Sequence, residues 1–588
     1  MPPPPRPITR ARGFCTTTRL PVFRLRASND ALLAGGRRSA DYGPPAWDAD
    51  RFLDSLAAAA PAQTAEEEKG GRVRELIKVV EGMVEKEEVG GGPWGGLEVV
   101  DVLQRLGVSR HFQRQIRAIL NRVWEHILMG DVFDDHHGAP NLYVTALAFR
   151  LLRQHGYHVS QDIFNIFKDG TGNLDKRICE DVKGLLAFYE ASFLLFQGES
   201  ILDKAKDFTK KQLNDNLILQ VDKGEMNDFV TLASHALELP LHWRLPRLET
   251  RWFIQFYQNI PDANPTLLEL AKLDFNMVQL IHHHELIEAL RWWKGASLDK
   301  ILPFARDRIL ENFWWAIGEM HEPKFGSFRI MSSRLNSLIT TIDDVYDVYG
   351  TLDELRIFTD VVTRWDSNAL EKLPFYMRIC FLQIFNFIHE TSYVILKTHN
   401  ILAISHLKKA WEDLCKAYLV EVEWHNKGYI PTLNEYMENG WISIGAPAIL
   451  IHAYFYCEPA DNGHLELLDA YSDIIQWSAT ILRLANDLGT SSDELKRGDV
   501  PKSVQCYMNQ IEITEEDARK HIDHLIFETW MKLNEASQGD PQFSRTFIQV
   551  ACNLARMAQC VYQYGDGHGN NKNNISRDQL TSMMFDVC

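Results

Sequence analysis

Apolar residues recur at helical spacing along almost the whole of this chain, and sustained period-two alternation is scarce. In "LEVVDVLQRLGV" Leu97, Val100, Leu103 and Leu106 fall three apart, on one face of a helix. "ICEDVKGLLAFYEASFLL" and "RTFIQVACNLARMAQCVYQY" behave the same way. The breakers between such runs are short: "GGGPWGG" (Gly90 to Gly96), "DGTGN" (Asp169 to Asn173) and "GAP" (Gly445 to Pro447). No self-similarity at the roughly 30 to 45 residue period of a solenoid is present. An all-α fold of packed helices is therefore expected.

Pro240 and Pro246 interrupt the helical pattern in "LELPLHWRLPRLETRW" before it resumes, which places a domain boundary near residue 248. The segment 1–36 stands apart. It carries Arg6, Arg10, Arg12, Arg19, Arg24 and Arg26 against one acid, Asp30, and it lacks the apolar core of a secretory signal. Such an Arg-rich, acid-poor leader resembles an organellar transit peptide. The expected organisation is a leader over 1–36, an N-terminal domain over 37–248 and a C-terminal domain over 249–588. The formal charge of −17 argues against nucleic acid or an anionic membrane as partner, because both need a basic footprint. No stretch reads as the roughly 20 apolar residues of a membrane span. The nine cysteines include no CxxC pair, so neither a zinc knuckle nor a disulfide framework is expected, and a reducing compartment is.

The chemistry concentrates after residue 300. In "SLITTIDDVYDVYGTLDEL" Asp343, Asp344 and Asp347 follow an apolar run. On a helix Asp343 and Asp347 share a face with Asp344 beside them, and three such carboxylates repel unless a cation intervenes. Taken alone, the pattern also suits a solvated helix end, and "DVFDD" (Asp131 to Asp135) has a similar acid density with no role to offer. In "RLANDLGTSSDELKRGD", however, Asn486, Thr490 and Glu494 recur at i, i+4 and i+8, a second stripe of oxygen ligands where a buried-type helix ends. Two such stripes about 140 residues apart read as opposite lips of one cavity, suited to hard divalent ions and a phosphate-bearing substrate. Arg306, Arg308, Arg483 and Lys502 are the candidate cations for that substrate's negative charge. Trp314, Trp315, Tyr346, Tyr562, Tyr564 and His568 supply aromatic faces, which either pack the core or stabilise a cation. The "HHHE" run (His282 to Glu285) does not read as a zinc site, since adjacent histidines point to different sides of a helix.

These motifs together resemble the plant terpene synthases, most closely the angiosperm monoterpene synthases. The resemblance rests on "DDVYD", "NDLGTSSDE", "RDR" (Arg306 to Arg308) and "RRSADYGPPAW", in which Arg37 and Arg38 precede Trp47 by eight intervening residues. It implies an all-α, two-domain fold: a catalytically silent N-terminal α-barrel and a C-terminal α-bundle holding three Mg²⁺ or Mn²⁺ ions. It implies that Asp343, Asp344 and Asp347 hold two metals, and Asn486, Thr490 and Glu494 the third. Arg306, Arg308, Arg483 and Lys502 would grip the diphosphate, and the segment of Arg37 and Arg38 would fold over the site as a lid and assist isomerisation. Trp315 would stabilise a carbocation, and Tyr562 and His568 would close the pocket.

The break at Gly445 to Pro447 matches the family's kinked helix. The substrate implied is geranyl diphosphate, passing through linalyl diphosphate, in a monomeric plastid (chloroplast stroma) enzyme with no nucleic-acid or membrane partner. Asn336, two turns before Asp343, resembles the residue of relatives that make 1,8-cineole or α-terpineol, and so implies a water-quenched cyclic product. Linalool, cyclic olefins and a sesquiterpene from farnesyl diphosphate remain the other outcomes. No DxDD acid motif is present, so protonation-initiated chemistry is not expected. An isoprenyl-chain elongase would carry a second DDxxD in place of the Asn486 stripe, and a non-catalytic helical scaffold would have no reason to gather these motifs in one domain.

Overall fold

The computed structural model describes residues 37, 42, 53, 63–90, 92, 94–130, 141–222, 227–457, 465–497, 500–539, 543–568 and 574–588. By internal contacts the chain divides into 1–38 and 39–588, and of the first unit only Arg37 is described. The leader, Arg38, Trp47, Asp131–Asp135 and the side chain of Glu494 lie outside the described residues.

The described residues of the second unit fold as α-helices. In the N-terminal half these are α1 (Gln63–Gly90), α2 (Leu97–Arg105), α3 (Gln113–Leu128), α4 (Leu142–Gln154), α5 (Val182–Ser192), α6 (Ser200–Asp222), α7 (Asp228–Glu238) and α8 (Pro246–Tyr257). The long α9 (Pro265–Ala296) leads into α10 (Ile309–Glu319), α11 (Gly326–Asp344), α12 (Leu352–Arg364), α13 (Phe375–His399), α14 (Ile404–Lys427), α15 (Leu433–Ser443) and α16 (Ala446–Tyr454). Then come α17 (Asp473–Arg497), α18 (Ser503–Ile511), α19 (Glu515–Gly539), α20 (Arg545–Tyr562) and α21 (Asn574–Met584). The expected all-α class holds; the one β-feature among the described residues is an isolated bridge from Lys168 to Leu174 around the "DGTGN" turn.

Local sequence accounts for the helix ends. Asn264 accepts from the amides of Thr266 and Leu267, with Pro265 at the first helical position of α9. Ser544 caps α20 through Phe547 N, and Thr351 and Thr432 begin capping boxes with Glu354 and Glu435. The apolar faces then sort into two cores. Leu97, Val100, Leu103 and Leu106 enter one with α4 and α5, whereas α10, α11, α16, α17 and α20 fill the other. Helix α9 serves both, with Leu267, Leu270 and Phe275 in the first and Leu286, Leu290 and Trp293 in the second.

Helix α13 corrects one expectation. By length and composition it could cross a membrane, with a mean hydropathy of 1.3 over its most apolar window, which the sequence reading had not recognised. In the fold, Tyr376, Met377, Cys380, Phe381, Ile384, Phe387, Ile388 and Ile395 form a helical stripe inside the second core. Arg378, Asn386, Glu390 and Lys397 are exposed on its other side. A buried stripe backed by charge is the pattern of a core-facing helix.

The two halves are also joined by polar contacts. Asn534 on α19 donates through Nδ2 to the carbonyls of Phe193 (2.9 Å) and Leu195 (3.1 Å), while His242 Nε2 donates to its Oδ1 at 2.7 Å. All of these groups are buried, so Asn534→Ala strands three of them. The expected cost is about 2 kcal/mol of stability, read by chemical denaturation, with turnover little changed.

Candidate active site

Helix α11 delivers the first acids. Asp343 and Asp344 are its last two residues, and the chain then continues into a π-helical turn, Val345–Tyr349, closed by Gly350 N–H to Val345 O at 2.8 Å. Asp347 therefore sits on a wider turn than the α-helical register expected from sequence, a deviation that recurs at functional sites. The first two aspartates also differ in environment. Asp344 is fully buried, whereas the Asp343 side chain is 30% exposed.

One arginine serves both. Arg306 Nη2 donates to Asp343 Oδ2 at 2.6 Å, its Nε lies 2.9 Å from Asp344 Oδ1, and its backbone N–H donates to Asp344 Oδ2 at 2.7 Å. Burial opposes the Arg306 charge, but Asp344 and Asp343 outweigh it and hold the guanidinium well above its ordinary pKa. Asp344 shifts up, because burial and the neighbouring Asp343 charge outweigh Arg306. A single guanidinium thus leaves the acids under-compensated.

The second stripe lies on α17. Asn486 and Thr490 occupy successive turns, with Thr490 Oγ1 donating to Asn486 O at 3.0 Å. Arg483 donates to Asn486 Oδ1 and pairs with buried Asp487 at 2.8 Å. Asp487 also accepts from Tyr436 OH (2.9 Å) and Ser503 N (3.0 Å), tying α15 and α18 to this helix. Lys502 Nζ pairs with buried Glu421 at 3.1 Å. Burial raises the Glu421 pKa, but Lys502 and Arg483 reverse the shift and keep it low.

The two stripes share one neighbourhood. The Trp315 ring lies 6.2 Å from both Tyr562 and His568. Tyr562 is bonded to Asn486 and feels both Arg483 and Arg306, one cation from each lip, although burial is the main cause of its raised pKa. Tyr418 on α14 shifts up through burial, then through Asp343, Asp347 and Glu421. His568 is pushed down to about 3 by burial and then by Arg306 and Arg308, so it is neutral at physiological pH. Arg308 is buried and donates to His568 O (3.2 Å) and Asp307 O (2.8 Å). Behind this wall, Gly445 takes a left-handed conformation (φ 83°) between α15 and α16, and a Cβ there would press on Ile339 of α11. The "GAP" break thus packs against the aspartate-bearing helix.

The N-terminal segment reaches the site through a residue that the sequence reading passed over. Tyr42, inside the eight-residue interval after Arg38, puts its ring 5.1 Å from the Arg306 guanidinium. Its pKa rises through burial, with Asp344, Asp343 and Asp347 adding to the rise. Glu421, Asp487 and Tyr418 were missed as well. The available signal was a polar group in a buried helical register, as Glu421 follows Leu414, Ala417 and Tyr418 on one apolar stripe.

Asn336 is buried on α11. Its Nδ2 donates to Glu319 Oε1 (3.2 Å) and Ser332 Oγ (3.4 Å), and its Oδ1 is buried without a partner. Glu319 is fully buried, and burial pushes its carboxyl up to about 7 against the bonds from Ser332 and Asn336.

The donor set is oxygen-rich and short of positive charge, as a hard divalent ion requires. Among the described residues no group of three or more His, Cys, Asp or Glu side chains is arranged to hold a metal ion. Mg²⁺ takes one or two carboxylates and completes its shell with water and substrate phosphate.

Known proteins can now be set beside this geometry. Residues 47–237 match the family described as terpene synthase, N-terminal domain, and residues 294–532 the terpene synthase family, metal binding domain. The chain is 51% identical over 534 residues to a (−)-α-terpineol synthase of Vitis vinifera, spanning 91% of this chain and 88% of that protein. It is 50% identical over 550 residues to a chloroplastic myrcene synthase of Quercus ilex, spanning 93% and 89%. A crystal structure of limonene synthase with 2-fluorolinalyl diphosphate shares the fold at a TM-score of 0.88 and 40% identity, covering 94% of this chain and all of that one.

Glu319 makes a pH test possible. A carboxyl raised from 4.5 to about 7 keeps its proton in the fold after the unfolded chain has lost it. Its stabilising contribution is complete below pH 4.5 and disappears as pH rises through 7. Between pH 5 and 7.5, Glu319→Gln should therefore gain stability relative to the unsubstituted protein, by on the order of 2 kcal/mol in urea unfolding.

Proposed function

The chain belongs to the terpene synthase family of lyases, and on that premise we propose that it is a monoterpene synthase, converting geranyl diphosphate through linalyl diphosphate to a C10 product and diphosphate. The observation that supports this reading best is the Trp315 ring beside both Tyr562 and His568, with Arg308 bonded to the His568 carbonyl. The Arg37, Arg38 and Trp47 spacing supports the C10 substrate over farnesyl diphosphate.

In this reading Asp343, Asp344 and Asp347 hold metal on one lip and Asn486, Thr490 and Glu494 on the other, three ions in all. Bound Mg²⁺ or Mn²⁺ supplies Lewis-acid neutralisation of the leaving diphosphate. Arg306, Arg308, Arg483 and Lys502 bind the same anion, and their existing carboxylate and carbonyl partners hold them pre-oriented, so little reorganisation accompanies ionisation. Trp315 and Tyr562 present ring faces to the allylic cation, worth about 0.5 to 2 kcal/mol per contact. Tyr42 covers the Arg306 guanidinium, where it would help to keep water out. We read the protein as a monomer, and the Arg-rich leader supports a plastid address.

For the product we favour water capture. Glu319 and Ser332 occupy the Asn336 amide nitrogen, which turns its unpartnered Oδ1 toward whatever donor fills the space beside it. A water there would be positioned to quench a cyclic cation as 1,8-cineole or α-terpineol. The myrcene-forming relative supports the alternative, in which proton loss ends the reaction as an olefin.

Two substitutions separate chemistry from folding. Asp343→Ala, at the half-exposed acid, should cut kcat for geranyl diphosphate about 1,000-fold or more while the melting temperature stays within a few degrees. Asp344→Ala removes the buried partner of Arg306 and should cost about 3 to 5 kcal/mol of stability as well. Incubation with Mg²⁺ and geranyl, neryl or farnesyl diphosphate, followed by chiral gas chromatography, tests the substrate, and absence of a volatile C10 product from geranyl diphosphate overturns the reading. In the same assay Asn336→Ala should shift the products from alcohol or ether toward olefin.

A further inference from the structure

A cleft of about 940 Å³ opens where the two helical halves meet, lined by α2, α3 and α4 on one side and α19 and α20 on the other. None of the metal or diphosphate residues proposed above lines it. Its charge is the reverse of the chain's: nine arginine and lysine side chains face it against two acids, Glu249 and Glu322, in a protein of net charge −17.

Five of those cations are already neutralised by the wall itself. Arg105 pairs with Glu249 (2.8 Å), Arg110 with Asp274 (2.5 Å), Arg150 with Asp101 (2.6 Å), Arg153 with Glu199 (2.5 Å) and Arg244 with Glu238 (3.2 Å). Arg117, Lys324, Arg545 and Arg556 have no carboxylate partner among the described residues, and Glu322 is the one uncommitted acid they face.

Of these four only Arg556 is drawn into the wall, and Arg117, Lys324 and Arg545 carry exposed side chains. Arg556 donates to neutral acceptors, His242 O at 2.8 Å, Asn553 Oδ1 at 2.9 Å and His242 Nδ1 at 3.5 Å. Arg545 donates to Gly156 O at 3.3 Å, across the junction between the halves. Gly156 is left-handed (φ 87°), and a Cβ there would collide with the Arg545 guanidinium, so this glycine keeps room for the arginine. The nearby histidines add no positive charge of their own. His155 is held down at about 4 by burial and then by Arg545 and Arg117, and His242 at about 3 by burial and then by Arg556. Burial also lowers the Arg556 pKa, the mark of a charge held without a counter-ion. Arg556 is thus the one cation of the four whose charge is withdrawn from water without a counter-ion, while Arg117, Arg545 and Lys324 reach the cleft from its exposed rim.

We propose that this interdomain cleft is a second anion site, taking a small di- or triphosphate on Arg117, Arg545 and Arg556 with Lys324 assisting. Arginine suits phosphate through its planar, multidentate donors. Arg117 comes from α3 and the other two arginines from α20, so one anion engages both halves and stabilises their junction. The shared chemistry has two sources: diphosphate released by the protein's own reaction, and free nucleoside triphosphate.

Isothermal titration of the full chain at low salt, in EDTA to suppress metal-dependent binding at the catalytic site, distinguishes these sources with inorganic diphosphate in one arm and ATP in the other. We expect one equivalent to bind, the tighter ligand naming the source. An Arg117→Ala/Arg545→Ala double variant should weaken binding at least tenfold while steady-state turnover at low product is unchanged. Lys324→Ala, at an exposed side chain, should weaken it severalfold and keeps the test readable if the double variant does not fold. Arg306→Ala should leave this affinity intact. No binding of either ligand, or binding lost in Arg306→Ala and unaffected by the cleft substitutions, overturns the proposal.

Discussion

The ion pair between Arg306 and the two aspartates ending α11 is the constraint on which the site depends. Asp344 is sealed from solvent, and an isolated carboxylate in that position would be costly to fold. The Arg306 side chain and backbone amide both answer it, which fixes the segment before α10 against the end of α11. With that joint made, Asp343 is left facing outward beside a cation, Tyr42 is drawn onto the guanidinium, and Arg308 two residues on is buried against the His568 loop. The same residue therefore stabilises the fold before any substrate is present.

The opposite lip is organised by a second buried acid. Asp487 takes hydrogen bonds from Tyr436 and Ser503 and an ion pair from Arg483, so three helices meet at one carboxylate. Glu421 does the same for Lys502 one helix away. Arg306, Arg483 and Lys502 each pair with a buried or half-buried carboxylate, and Arg308 with backbone carbonyls, which limits the desolvation cost of holding them in the fold.

Particular residues show how much of this was legible from the chain alone. The helical class follows from spacing such as Leu97, Val100, Leu103 and Leu106, all of which enter one core. Asn486 and Thr490 fall on successive turns of α17 as their i, i+4 spacing implies, whereas the shared α-helical face expected for Asp343 and Asp347 is interrupted by the π-turn. The π-turn at Val345–Tyr349 was not recognisable, since its i to i+5 bond depends on how α11 meets α12 and α14. Helix α13 is long and apolar enough by composition to cross a membrane, and only its packing, with one face inside the second core, shows it as a core-facing helix. Tyr42 and Glu421 were hidden for another reason: a single polar residue acquires meaning only when its distant partner is known.

Local chemistry in the sequence determined the helices, their caps, the acid and oxygen stripes and the arginine set, because each depends on neighbours within a few residues. It also determined family membership, since those motifs and their spacings are carried by the chain itself. Only the tertiary structure decided that Arg306 spans both aspartates, that Tyr562 lies beside Trp315, and that Asn336 is held by Glu319. The unmatched arginines gather in one cleft by the same kind of decision. Charge compensation and desolvation act through space between residues tens to hundreds of positions apart, and only the packed fold sets those distances.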